Sequence, residues 1–211
     1  MFTLFRWFRR LLYLAVGVAI AYLVVTGVQV LTASRAPSVP GAVDRASAIV
    51  VVADAAPGQK KAPSSDLAAR CNHALELRTA HKSALVIVVA PSGRASKTSR
   101  NESAVAVAYL ESRKVPARSI RAVVGGDVPA GLRVVASRFP AKRHDSVIIV
   151  GDSVQTLWLE HVARAVGLKA QMSPSSPHLS VLQKIGGIAI QAAAVAWGHL
   201  FGFGETGWIA G

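Results

Sequence analysis

An uncharged run of 21 residues, Leu11–Leu31, follows directly on Arg6, Arg9 and Arg10. No other feature restricts the chain as strongly. At about 1.5 Å per residue, a helix of that length covers the roughly 30 Å hydrocarbon core of a bilayer. A secretory signal peptide is the rival reading, but its apolar core is normally about 7–15 residues long and ends in a small-x-small site. Thr32-Ala33-Ser34 is a weak version of such a site. The expectation is therefore a retained transmembrane helix over residues 11–32. The three arginines hold residues 1–10 in the cytoplasm and send the remainder outward. Arg35 and Arg45 oppose that orientation without reversing it. Trp7 and Phe8 fall at the level of the cytoplasmic headgroups.

The residues beyond the span suffice for one ordinary domain with its own core. With Arg6, Arg9 and Arg10 set aside, 21 basic residues face 11 acidic ones. Such a surface favours anionic lipid headgroups or phosphate-bearing wall polymers, although a solvated basic surface explains it equally. An extracytoplasmic location argues against nucleic acid as a partner. A single cysteine, Cys71, excludes an intramolecular disulfide. It falls in an apolar helical stripe, where a buried thiol is expected.

Residues 33–45, with Pro37 and Pro40 and no apolar period, read as a linker leaving the membrane. Ala46–Ala53, Leu85–Ala90, Ile120–Val124 and Ser146–Gly151 are short apolar, β-branched runs, the pattern of strands buried on both faces. Helical stripes lie between them. One begins near Ser65, capped by Ser64 or Ser65, and carries Leu67, Cys71 and Ala74. Another opens with the capping-box spacing Ser99-x-x-Glu102 and stops before Val115-Pro116. A third covers Leu132–Arg138. The clearest stripe is Val154, Leu157, Trp158, His161, Val162, Ala165 and Val166, closed by Gly167 as a C-cap.

Alternating apolar strands and amphipathic helices make βαβ units. The fold class is α/β, a parallel-sheet, Rossmann-like three-layer domain over residues 46–180, preceded by one transmembrane helix. Ligand crevices in such sheets lie beyond the strand carboxyl ends. That places Asp54–Ser65, Pro91–Arg100, Gly125–Gly131 and Gly151–Gln155 around the candidate site. The binding residues expected there are Asp54, Arg94, Lys97, Arg100, Glu102, Asp127, Asp152 and Ser153. Arg94, Lys97 and Arg100, interleaved with serines, form the best anion-binding candidate in the chain.

Ser65-Asp66-Leu67-Ala68-Ala69-Arg70, then Leu85–Val89 with Asn101-Glu102 and Tyr109-Leu110, then Val115-Pro116, Ile120 and Val147–Gly151 with Asp152 follow a recognisable order. The order resembles the YdcF/SanA/ElyC-like family of bacterial envelope proteins, over roughly residues 46–180. The resemblance implies a membrane anchor, a role in envelope or cell-wall homeostasis, and a first acidic pocket residue at Glu102. The pocket motifs depart from the family. Its Gly-Gly strand end is Ala90-Pro91 here. Its Asn/Ser-Thr-x-Glu-Asn-x-Arg element falls on Asp127–Arg133, where Ala130 and Gly131 replace the carboxylate and amide. Its Phe-His pair falls on Val154-Gln155. The resemblance thus implies a divergent member with a degenerate pocket.

Gly151-Asp152-Ser153 resembles the Gly-Asp-Ser turn of some serine hydrolases, but that chemistry needs a base and an orienting acid. No aspartate follows Ser153 in the chain, and Ser153 as a helix N-cap is the simpler reading. The six histidines lack metal-ligand spacing, so no metal and no cofactor are expected. Residues 181–211 hold an apolar segment, Ile185–Phe203, without formal charge. It can close over the sheet, lie on or in the membrane beside the anchor, or receive another membrane protein through small residues. The expected function is a membrane-anchored extracytoplasmic binding or scaffolding protein of cell-envelope homeostasis. Membrane lipids and envelope or cell-wall components are its expected partners. The alternative is an enzyme acting on a phosphate-bearing envelope or lipid-linked cell-wall precursor.

Overall fold

The computed structural model describes residues 2–34, 46–53, 62–80, 84–91, 102–139, 146–175 and 181–203. Its centre is a five-stranded, wholly parallel sheet in the order β3-β2-β1-β4-β5. The strands are β1 (Ala46–Val52), β2 (Leu85–Pro91), β3 (Ile120–Gly125), β4 (Ser146–Val150) and β5 (Ala170–Met172). Val50 pairs with Ile87 on one side and Ile149 on the other. The apolar runs are continuous because both faces of the sheet are covered.

On one face lie α2 (Ser65–Ala80) and α3 (Glu102–Ser112). They enclose a core of Leu67, Cys71, Ala74, Ala106 and Leu110 against Ile49, Val51, Val86 and Val88. Ser64 caps α2 by accepting from the Leu67 backbone N–H at 3.2 Å. Burial pushes the Cys71 thiol up to about 12, with Arg70 opposing the shift, so the thiol is inert at neutral pH. Two residues past the end of α3, Lys114 takes a left-handed φ of 67°. The Val115 N–H returns to the Leu110 carbonyl, closing the helix in the way glycine usually does.

On the other face lie α4 (Val128–Arg138) and α5 (Thr156–Ala165). Leu132, Val135, Trp158, Leu159 and Val162 fill this core. Gly167, at φ 75°, closes α5 as expected. The chain winds outward from β1 to β3, then crosses back to β4 and β5. The strand order therefore reverses between β1 and β4, where α/β folds place ligands.

Two apolar helices complete the molecule. α1 runs over Phe2–Ser34 and α6 over Val181–Phe201. α1 extends beyond both ends of the expected span. Its Arg9–Ser34 stretch is long and apolar enough to cross a membrane. Its large apolar side chains are exposed from Leu11 to Val25, and burial starts at Thr26 and Val30. Val30 joins the core formed by Val50, Ile149 and Trp158. The last turns of α1 thus dock on the domain, against α5, α6 and the turn after β4. Ser34 still belongs to the helix, where a linker was expected from residue 33; residues 35–45 lie outside the described ones.

α6 packs beside α1 and on α5, with Ala192, Ala194, Val195 and Ala196 buried. Gln191 is also buried, and its Oε1 has no hydrogen-bond partner among the described residues. The opposite side of α6 presents Ile190, Trp197 and Phe201, exposed at i, i+7 and i+11.

Candidate functional site

Four of the eight candidate residues fall among the described ones. Asp54, Arg94, Lys97 and Arg100 lie outside them. Glu102 opens α3, on the α2 side of the sheet. Asp127 caps α4, its Oδ1 accepting from the Ala130 N–H at 2.7 Å. Asp152, 8% exposed, accepts from the Val154 N–H at 3.1 Å. The Ser153 hydroxyl donates to the same Asp152 oxygen at 3.2 Å. The cap of this turn is thus Asp152, where the sequence suggested Ser153.

These contacts decide what the groups can do. A carboxylate holding a backbone N–H at a helix start stabilises the first turn. Asp127 follows β3 and Asp152 follows β4, three strand positions apart. At about 4.8 Å per strand that is about 14 Å, too far for a shared catalytic site. Ser153 has a carboxylate partner in its own turn, and no histidine bonds to it among the described residues. No group of three or more histidine, cysteine or acidic side chains able to hold a metal occurs among the described residues.

The structure also brings together residues that no local sequence signal connects. Arg70, on α2, is 1% exposed and donates from Nη1 to the Val52 carbonyl at 2.8 Å. A guanidinium is therefore buried at the carboxyl end of β1, beside the point where strand order reverses. His73, one turn further along α2, lies with Nε2 2.8 Å from the Ser173 hydroxyl, just past β5. Its Nδ1 lies 3.2 Å from Glu76 Oε2.

Serine, histidine and carboxylate in this order reproduce the connectivity of a hydrolytic triad. Acyl transfer also needs N–H donors for the developing oxyanion. The Ser173 N–H donates to the Ile149 carbonyl at 2.9 Å, and the next residue is Pro174, which has no N–H. None of Ser173, Pro174 and Ser175 thus offers an oxyanion donor, since the Ser175 N–H is taken by the Gly151 carbonyl at 3.0 Å. The arrangement works as a polar clamp that fixes α2 to the end of β5. Ser175 reinforces it by donating to the Gly151 carbonyl at 3.1 Å.

Comparison of the chain with family models, curated proteins and solved structures found no match.

Proposed function

We propose that this chain is a single-pass membrane protein whose α/β domain lies outside the cytoplasm and acts by binding or scaffolding in cell-envelope homeostasis. We further propose that it is a divergent relative of the YdcF/SanA/ElyC-like family, on the segment resemblance described above. One observation carries the non-catalytic reading: Asp127 and Asp152 are engaged as helix caps, and Ser153 donates to one of them. Membrane lipids are the first partner on this reading, met by the exposed flank of α1 and by the stripe on α6. Envelope or wall components, or another membrane helix laid on that stripe, are further partners.

Two experiments test the reading. Alkaline phosphatase fused after Gly211 should be active, and a reporter that works only in the cytosol should be silent at the same position. The reverse result removes the outward orientation. Glu102→Gln and Asp152→Asn should both complement a deletion strain as wild type does. Asparagine retains the cap, and neutralising a first-turn glutamate costs at most about 1 kcal/mol. Failure of both variants at normal protein levels would restore the enzymatic reading.

A further inference from the structure

At the amino-terminal edge of the sheet, away from the loops at the strand carboxyl ends, the last turn of α2, the segment after α3 and the 3₁₀ turn before β3 line an open cleft of about 670 Å³. Leu75, Val115 and Pro116 give it an apolar floor. Arg78, Arg113, Lys114 and Arg118 surround that floor, and no carboxylate lines it among the described residues.

Helix carbonyl ends attract cations, which accounts for Arg78 and Arg113 at the ends of α2 and α3. It does not account for the other two. Arg118 sits beyond α3, in the short 3₁₀ turn Ala117–Ser119. Lys114 occupies a left-handed position, at φ 67°, where a side chain is strained and glycine is the natural occupant. Neither side chain has a hydrogen-bond or ion-pair partner among the described residues.

Arg113 is held ready. Its Nη2 donates to the Tyr109 hydroxyl at 2.9 Å, and its guanidinium carbon lies 5.0 Å from the Tyr109 ring centroid. Tyr109 is fixed in turn by donating to Asn72 Oδ1 at 3.0 Å. Preorganisation of this kind lowers the ordering cost of binding.

We propose that this cleft binds a soluble phosphate-bearing ligand of nucleotide or phosphosugar size. The volume lies within the roughly 300–1,000 Å³ of small-molecule sites. Guanidinium forks match phosphate oxygens in pairs, and a lysine adds a point charge. The concentration of four cations suits a phosphate or diphosphate better than a single carboxylate. The apolar floor receives the face of the sugar or base.

The test uses the full chain in nanodiscs of zwitterionic lipid, titrated calorimetrically with pyrophosphate. Saturable binding is expected. Lys114→Gly and Arg118→Gln should each weaken it at least about fivefold, each removing one charged contact. Lys114→Gly should melt no lower than wild type, because glycine relieves the left-handed strain. Weaker binding in a fold of equal or greater stability separates ligand contact from damage to the structure. Arg138→Gln, at the end of α4 on the opposite face, should leave the affinity unchanged. Absence of saturable binding, unchanged affinity in both cleft variants, or an equal loss with Arg138→Gln would overturn the proposal. Discs of phosphatidylglycerol should change the affinity less than about tenfold, a modest effect of surface charge. A larger loss would assign the cleft to lipid headgroups and refute a soluble ligand.

Discussion

Replacing Gly131 by alanine isolates the contact on which α4 rests against the sheet. A Cβ at that position would fall onto the Cγ1 of Val89, which is fully buried in β2. Valine is stiff at χ1 and cannot turn away cheaply. The backbone cannot yield easily either, because a Cβ at neighbouring Gly125 would lie 2.5 Å from the Gly131 nitrogen. In an open helix, Gly→Ala gains about 0.5–1 kcal/mol, whereas overpacking a core costs about 1–3 kcal/mol. The net expectation is a loss of about 1–2 kcal/mol, or a melting temperature lower by about 2–8 °C for a chain of this size. Val89→Ala removes two buried carbons and should cost about 2 kcal/mol alone. In the double variant the new methyl occupies part of the vacated space. The two losses should then sum to less than their separate values by about 1 kcal/mol. Thermal unfolding of the full chain in one detergent, followed by tryptophan fluorescence, measures all four proteins. Trp158, 1% exposed, lies in the affected core. A Gly131→Ala protein as stable as wild type, or a strictly additive cycle, would refute the argument.

Three further outcomes follow from other contacts. Asp152→Ala should lower stability by about 1 kcal/mol in denaturant titration through loss of a cap, while Asp152→Asn stays near wild type; equal losses would contradict the capping role. His161 stacks on Phe203 at 4.7 Å with His199 edge-on at 5.1 Å, and burial first, then His199 and Arg164, hold its pKa below the ordinary imidazole value of 6.5. The unfolded chain therefore binds the proton more readily, so this contribution is complete above about pH 6.5 and falls away as the pH drops through the folded value. His199→Gln should reduce the loss of melting temperature between pH 7 and 5, and an unchanged profile would exclude the histidine pair. Gln191→Leu should raise the melting temperature by removing a buried carbonyl oxygen without a partner among the described residues, and a fall would show that the oxygen is satisfied.

The strands β1 to β4 and the helices between them were legible because each buries one unbroken apolar pattern. β5 was not, since Ala170–Met172 is three residues long with an exposed glutamine at its centre. Asp127 and Asp152 illustrate an ambiguity inherent in α/β sequences. An acid just after a strand suits a ligand crevice and equally suits the cap of the next helix, and only the 2.7 and 3.1 Å contacts decide between them. Gly131 stood out as a missing pocket amide, whereas in the structure it marks close contact between α4 and β2. The His73–Ser173 pair joins residues 100 apart in sequence, a separation that periodicity cannot bridge. Within α1, uniform apolarity hid the docking face, because Val30 differs from its neighbours only in what it touches.

That docking has a mechanical consequence. About 28 Å of helix separates Trp7 from the onset of burial after Val25, at about 1.5 Å per residue. In a bilayer, that length would match the hydrocarbon core and leave no slack between lipid and domain. A helix on a loose tether answers a thicker or thinner membrane by tilting alone. Here Val30 is part of the core, so the sheet must tilt with the helix. In a bilayer, the orientation of the whole domain becomes a reading of membrane thickness.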